Sequence, residues 1–489
     1  MAPAVSLDDV ALLIETTPFD TVATVLRQRA TVRPADAPYL LSIASWCSVI
    51  RDQLGQADEL ATLARRSLDR GSGGAAQDEP AATIVASLSM VVGAFRGTNP
   101  IDHATLDRLA HLIQHECSEH QAIIDVIEPT LEIANWFTFA DRYDDAARII
   151  DHRLEALAAD DTLGRLYSLC CLAELDWRRG RWSATARRLV TAMEAAEADG
   201  QETAYAHALV ARVCAAEGRW DDVERHASIA RRSSQRRGDA STLWRLDALD
   251  GFIAVCSQDH DGAIRHLTPL VARNERVGLH LASVRLWDGD LIEALVRAGR
   301  PDEARVQIER LEAEVAQVPS RYAAGVIARS RALVATDAGT ATTLAEEAAS
   351  TFESIGAVFD EGRAELVRAE ALAADGRESD AAHALRRARQ IFDALDSQPW
   401  ASRTATAIVT GQARPAASES SDHGRAERLA VLTPVERTVV DALLRGQSNR
   451  QIADQLHLSV KTVEAHLTRA YRKLGFSSRA EVLAGLLNA

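Results

Sequence analysis

Lysine is nearly absent from this sequence. Of 55 basic side chains in 489 residues, all but two are arginine, and both lysines, Lys461 and Lys473, fall in one stretch, SVKTVEAHLTRAYRKLG (459–475). That scarcity excludes whole classes of chemistry. A P-loop nucleotidase needs the lysine of GxxxxGK[ST] to reach its phosphates, and no such motif is present. Pyridoxal Schiff-base chemistry needs a lysine amine, and none precedes residue 461. A phosphoacceptor receiver domain needs alternating strands and helices and a lysine near its aspartate, and neither is legible. Runs of about 18 apolar residues are missing, so no membrane span is expected. The opening MAPAVSLDDVALLIE lacks the basic and apolar regions of a secretory signal. Cysteines number six and are scattered apart from Cys170 and Cys171. That spacing reads as reduced thiols in a cytoplasmic protein, not as a disulfide framework. Aromatics are only 5%, which disfavours sheet.

What is abundant is Ala, Leu and Arg, a mixture that favours helix. A chain of this length exceeds one hydrophobic core, so two or more domains are expected. Charge divides them. Residues 426–489 carry nine basic and six acidic side chains, a balance of +3 in a chain of −15, which leaves −18 for residues 1–425. A small basic tail on a large acidic body assigns polyanion contact to the tail.

Repeats organise the body. DRYDDAARII (from 141), GRWSATARRL (180), GRWDDVERHA (218), QDHDGAIRHL (258), GRPDEARVQI (299) and GRESDAAHAL (376) share one form, and DAGTATTLAE (337) fits it more weakly. Each opens on a turn residue and places a small or β-branched residue sixth: Ala146, Thr185, Val223, Ala263, Ala304, Thr342 and Ala381. Starts lie 38 to 41 residues apart, with weaker copies expected at Gly55 and Gly97. Each period holds two amphipathic helices, and small sixth residues let paired helices approach. One pair cannot bury its own apolar face, so stacked neighbours must supply the core. The pattern resembles tetratricopeptide repeats with a lengthened period, and more closely the helical-repeat domain of MalT-like large regulators. Residues 71–80, GSGGAAQDEP, read as a loop within the array. Residues 401–425 lose apolar periodicity and gather Ser, Ala, Gly and Pro, as a linker does.

Four short helices are legible after residue 425. In TPVERTVVDALLRG, Thr433 is the N-cap, Pro434 takes the first helical position, Glu436 completes a capping box and Gly446 stops the helix. Ser448, Ser459 and Ser478 cap the next three, and Gly475 ends the third. The second and third are separated as in a helix-turn-helix. On the third, Val460, Val463, Leu467, Ala470, Tyr471 and Leu474 form one apolar stripe. Lys461, Glu464, Ala465, Thr468 and Arg472 form the opposite one, flanked by Thr462, His466, Arg469 and Lys473. Small side chains let a helix sit deep in a major groove, while long ones reach base edges and phosphates. The stretch from LTPVE through GQSNRQIA and SVKTVEAH to RKLG resembles the DNA-binding domain of LuxR/FixJ-type transcription factors. That resemblance implies base contacts at Glu464, Ala465 and Thr468, and phosphate contacts at Asn449, Lys461, Thr462, His466 and Arg472. It also implies pairing of two subunits through the last helix, where Val482 and Leu486 form an apolar face separate from Leu483 and Leu487.

No catalytic constellation is legible. His111 and His115 share a helix face within HATLDRLAHLIQHECSEH (103–120), but surface histidines account for that spacing more simply than a metal pair. Asp144, Asp145, Asp221 and Asp222 open helices, where the dipole favours them. The expectation is therefore an all-α transcription regulator: a TPR-like helical-repeat superhelix (1–400), a linker (401–425) and a four-helix LuxR-type helix-turn-helix domain (426–489). It resembles a MalT-like regulator without the ATPase domain and is expected to need no cofactor or metal. Its expected partners are double-stranded promoter DNA, a second copy of itself, and a small-molecule or protein effector on the repeats. RNA polymerase is a further candidate partner, and no membrane is implied. The alternative is a repeat-based interaction scaffold with secondary DNA binding.

Overall fold

In the computed structural model each repeat is a helical hairpin. The structure describes Leu13, residues 17–71, 79–115, 132–158, 160–404, Leu432, and residues 434–444, 451–453 and 460–474. Every regular element among them is a helix. The chain divides into Met1–Ala401 and Ser402–Ala489. Most of the 71–80 loop and residues 405–425 of the expected linker lie outside the described residues, while residues 401–404 are helical.

Among the described residues, the first unit runs from α1 (Phe19–Val32) through nine pairs. They are α2 (Ala37–Ile50) with α3 (Leu54–Gly71), α4 (Glu79–Phe95) with α5 (His103–His115), and α6 (Ile133–Phe139) with α7 (Tyr143–Ala156). Next come α8 (Thr162–Arg179) with α9 (Trp182–Ala198), α10 (Ala204–Glu217) with α11 (Trp220–Arg237), and α12 (Ala240–Cys256) with α13 (His260–Val277). The last are α14 (Asp288–Arg297) with α15 (Pro301–Gln317), α16 (Arg321–Val334) with α17 (Ala338–Ile355), and α18 (Val358–Ala374) with α19 (Glu378–Ala394). Helical residues continue from 398.

The turn inside each hairpin explains the repeat pattern. Its key residue takes a left-handed conformation: Asp52, Gly97, Asp141, Gly180, Gly218, Gln258, Gly299 and Gly376 all have φ between 58° and 80°, a region glycine enters without steric cost. The first copy therefore turns at Asp52 rather than Gly55, and its sixth residue is the fully buried Ala57. The weak copy at 337 departs because Asp337 has φ −100° and instead caps its helix, accepting from Thr340 N at 2.7 Å. All seven sixth-position residues, Ala146 to Ala381, are buried, as close helix approach requires.

The two helices of a pair differ in environment. Second helices such as α13 and α19 bury one stripe. First helices such as α8 and α18 are buried nearly all round and carry charges inward. Those charges are paired: Arg363 holds Asp290 and Glu293, each at 2.7 Å, and Arg285 holds Asp288 at 2.9 Å together with Glu314. Against the push of burial, Arg212, Arg245 and Arg178 hold Glu174 down at about 2. Aromatics are scarce but gathered, with Trp177, Trp182, Phe252, Phe359, Phe392 and Trp400 in one interior cluster.

The array coils until distant repeats touch. Asp141 Oδ2 accepts from Ser320 Oγ at 2.9 Å and from Arg321 N and Tyr322 N, at the N-terminus of α16. Trp182 Nε1 donates to Leu395 O at 3.2 Å, and Ser397 Oγ to Ala216 O at 2.7 Å. His280 N donates to Phe95 O at 2.6 Å, and Asp52 pairs with Arg273. The inner surface is consequently not an open trough along its whole length. Wheel reasoning on single helices cannot show such closure, because the partners lie about 180 to 220 residues apart.

Candidate nucleic-acid interface

In the second unit, α20 (Pro434–Leu444) and α21 (Val460–Leu474) pack around one core. Pro434 starts α20, where its missing N–H costs nothing. Val439, Val440, Ala442 and Leu443 of α20 are buried with Leu432, Ile452 and Ala453, and α21 contributes Val463, Leu467 and Ala470. Tyr471 packs against them. The buried stripe of α21 is thus the one its sequence periodicity marks.

Among the described side chains of α21, Arg469 and Lys473 are exposed, while Thr462 and His466 are half-buried. The His466 Nδ1 atom is buried and has no hydrogen-bond partner among the described residues. Lys461, Glu464, Ala465, Thr468 and Arg472 lie on the helix, and their side chains are outside the described ones. Asn449, Val482 and Leu486 lie outside the described residues altogether, as does most of the expected second helix and all of the fourth.

One pairing was not legible in advance. Lys473 Nζ donates to Glu436 Oε2 at 2.6 Å, and the carboxylate is almost fully enclosed. A charge-assisted bond to a buried carboxylate ties the end of α21 to the start of α20. Its two members sit in the LTPVE and RKLG segments, the two ends of the pattern noted above. An acidic residue in one and a lysine in the other is the signal that could have disclosed it.

Residues 430–484 match the family model described as bacterial regulatory proteins, luxR family. This segment is a LuxR-type DNA-binding domain. It is similar to an HTH-type transcriptional regulator of Mycobacterium tuberculosis, 48% identical over 52 residues, which are 11% of this chain and 6% of that one. The transcriptional regulatory protein FixJ of Bradyrhizobium diazoefficiens is 34% identical over 100 residues, 19% of this chain and 49% of that protein. The fimbriae Z protein of Escherichia coli is 46% identical over 55 residues, 11% of this chain and 26% of its own. The matches therefore span at most about half the length of these relatives. A Rap protein complexed with competence and sporulation factor aligns with 73% of this chain and 99% of its own, at 11% identity and a TM-score of 0.44.

Other residues singled out in the sequence lie apart from this interface or outside the described residues. His103 and His111 are exposed on α5, the His115 side chain is not described, and Cys117 and His120 lie outside the described residues. No group of three metal-ligating side chains occurs among the described residues. Cys170 and Cys171 are buried in α8, and burial pushes the Cys170 thiol well up. Asp144, Asp145, Asp221 and Asp222 do stand in first turns. No described helix is long and apolar enough to cross a membrane.

Proposed function

We propose that the chain is a cytoplasmic transcription regulator that reads promoter DNA with α21 and is controlled through its helical array. The carrying observation is the LuxR-type match over 430–484, together with an α21 whose apolar stripe is buried in its own domain. In this reading Glu464, Ala465 and Thr468 meet base edges. Asn449, Lys461, Thr462, His466 and Arg472, with Arg469 beside them, meet phosphates and fix register. Val482 and Leu486 pair two subunits on a two-fold site. Lys473 has a carboxylate partner inside the domain, so its phosphate contact is secondary. The array, about four-fifths of the chain, has no assigned catalysis. Its role is to receive a small molecule or a protein partner and change DNA binding.

The test is the salt dependence of operator binding by the full chain. Replacing Lys461 or Arg472 by Ala should weaken binding to every duplex and lower the slope of log K against log salt by about one. Replacing Ala465 or Thr468 should change which duplex is preferred. Unchanged affinity and slope in both charge variants at low salt would remove α21 as the reading helix.

A further inference from the structure

The coiled array leaves a large space among its first six pairs. A cavity of about 580 Å³ lies between α2, α4, α8, α10 and α12, within the size range of small-ligand sites. Its walls concentrate a scarce residue type: Trp46, Phe95, Phe139, Tyr205 and Trp244 all line it, in a chain with only eight Trp, six Tyr and nine Phe.

Its polar lining is incomplete. The Trp46 indole N–H and the Ser234 hydroxyl face no hydrogen-bond partner among the described residues, although both side chains are more than nine-tenths buried. Buried donors left without partners are costly and uncommon. The charged groups are unbalanced as well. Asp52 is matched by Arg273, and Arg245 lies over the Trp244 and Tyr205 rings while donating to Ser241 Oγ and O. Glu132 and Asp239 also line the space. Among the described residues, the Glu132 carboxylate accepts from Asn135 Nδ2, at 3.0 Å, and that of Asp239 from Thr242 N, at 2.9 Å. Neither has a guanidinium in ion-pair range among the described residues. Burial pushes the Glu132 carboxyl up to about 7, against the pull of Arg245 and Asn135, and pushes Asp239 up as well. Among the described residues, the space thus joins aromatic walls to a lining with six carboxylates against three guanidiniums, those of Arg153, Arg237 and Arg245.

We infer that this cavity binds a small organic amine with an aromatic or apolar body, its ammonium held by Glu132 and Asp239 and its body against Trp46, Phe95 and Phe139. The ammonium supplies the missing positive charge and several donors. The aromatic walls favour both the apolar body and the adjacent cation. An organic anion would meet a lining with more carboxylates than guanidiniums, so it is disfavoured. This inference rests on the effector reading above and gives that effector a place and a chemical class.

Calorimetric titration of the full chain, without DNA, tests it with three probes of similar shape: 2-phenylethylamine, 2-phenylethanol and 3-phenylpropanoate. The amine should bind at least about tenfold more tightly than the alcohol or the acid. Glu132→Gln should abolish that preference without changing the melting temperature, and Glu132→Asp should restore part of it. Binding of the acid as tight as that of the amine, an undiminished preference in Glu132→Gln, or no binding of any probe would each overturn the inference. A second titration onto operator DNA separates the two claims. If the amine binds the wild-type cavity but leaves operator affinity unchanged, the cavity stands and the effector reading fails. If operator affinity responds to other compounds while no amine binds, the effector reading stands and the amine assignment fails.

Discussion

Lys473 is one of the two lysines of an arginine chain, and the structure gives it a buried partner. The Lys473 ammonium is half-enclosed against the buried Glu436 carboxylate. A neutral residue there would take the charged donor away from a carboxylate enclosed in a small core. Lys473→Met in the full chain is expected to destabilise the DNA-binding domain by about 1 to 3 kcal/mol. Lys461→Ala should leave its unfolding midpoint unchanged, and denaturant unfolding of both variants checks the contrast. A second residue-scale effect concerns a buried histidine pair. His226 Nδ1 lies 2.7 Å from His207 Nδ1, and His207 Nε2 lies 2.9 Å from Glu197. Burial, then His207 and Arg225, pull His226 down to about 4. Its folded value is thus below its unfolded one, so between about pH 6.5 and 4 the unfolded chain binds more protons. Stability from this group is present above that window and is lost as pH falls through it. Melting curves at pH 7 and pH 4.5 should differ less for His226→Gln than for the wild type. An equal pH dependence in both would remove His226 as a contributor.

At the scale of the element, the glycines of the array separate into two kinds with opposite expected effects. Gly325 lies inside α16, and a Cβ there would stand 2.7 Å from Phe352 Cε1 of α17. Gly325→Ala is therefore expected to destabilise by about 1 to 3 kcal/mol, despite alanine's higher helix propensity. Gly55, exposed in the first turn of α3, has nothing within 4 Å of such a Cβ. Gly55→Ala should stabilise by about 0.5 kcal/mol through the unfolded chain. Thermal unfolding of the two variants checks both signs. The contrast also marks what the sequence makes legible. Hairpin turns and sixth-position contacts are local, within one period, so a repeat alignment finds them. The Glu436–Lys473 pair is 37 residues long in sequence, and Arg363 reaches Asp290 from two pairs away. Such contacts leave no periodic trace. For the same reason the stripe of α21 was readable from spacing alone, whereas the cavity, lined by helices from across half the chain, was not.

For the whole molecule the decisive contact is Asp141. It stands in a left-handed turn at φ 59°, the place glycine takes in the neighbouring copies, yet its carboxylate receives the first backbone N–H groups of α16 about 180 residues away. Burial pushes this carboxyl up, opposed by Arg178 and by the Ser320 and backbone donors. Asp141→Gly would keep the local turn and remove only the distant cap. It should destabilise the protein by about 1 to 2 kcal/mol, the usual effect of losing a helix cap, in equilibrium denaturation. A variant as stable as the wild type would mean that contact between successive coils adds nothing.

That self-contact has a consequence for how the protein can change over evolutionary time. An open array of repeats couples only neighbours, so units can be duplicated or deleted with little penalty. Here Asp141 meets α16, Trp182 meets Leu395 and Asp52 meets Arg273, each across four intervening units. Inserting or removing one unit between such partners would bring the wrong residue to each junction at once. The number of hairpins between them is therefore as constrained as any buried side chain, and length variation should be confined to the ends.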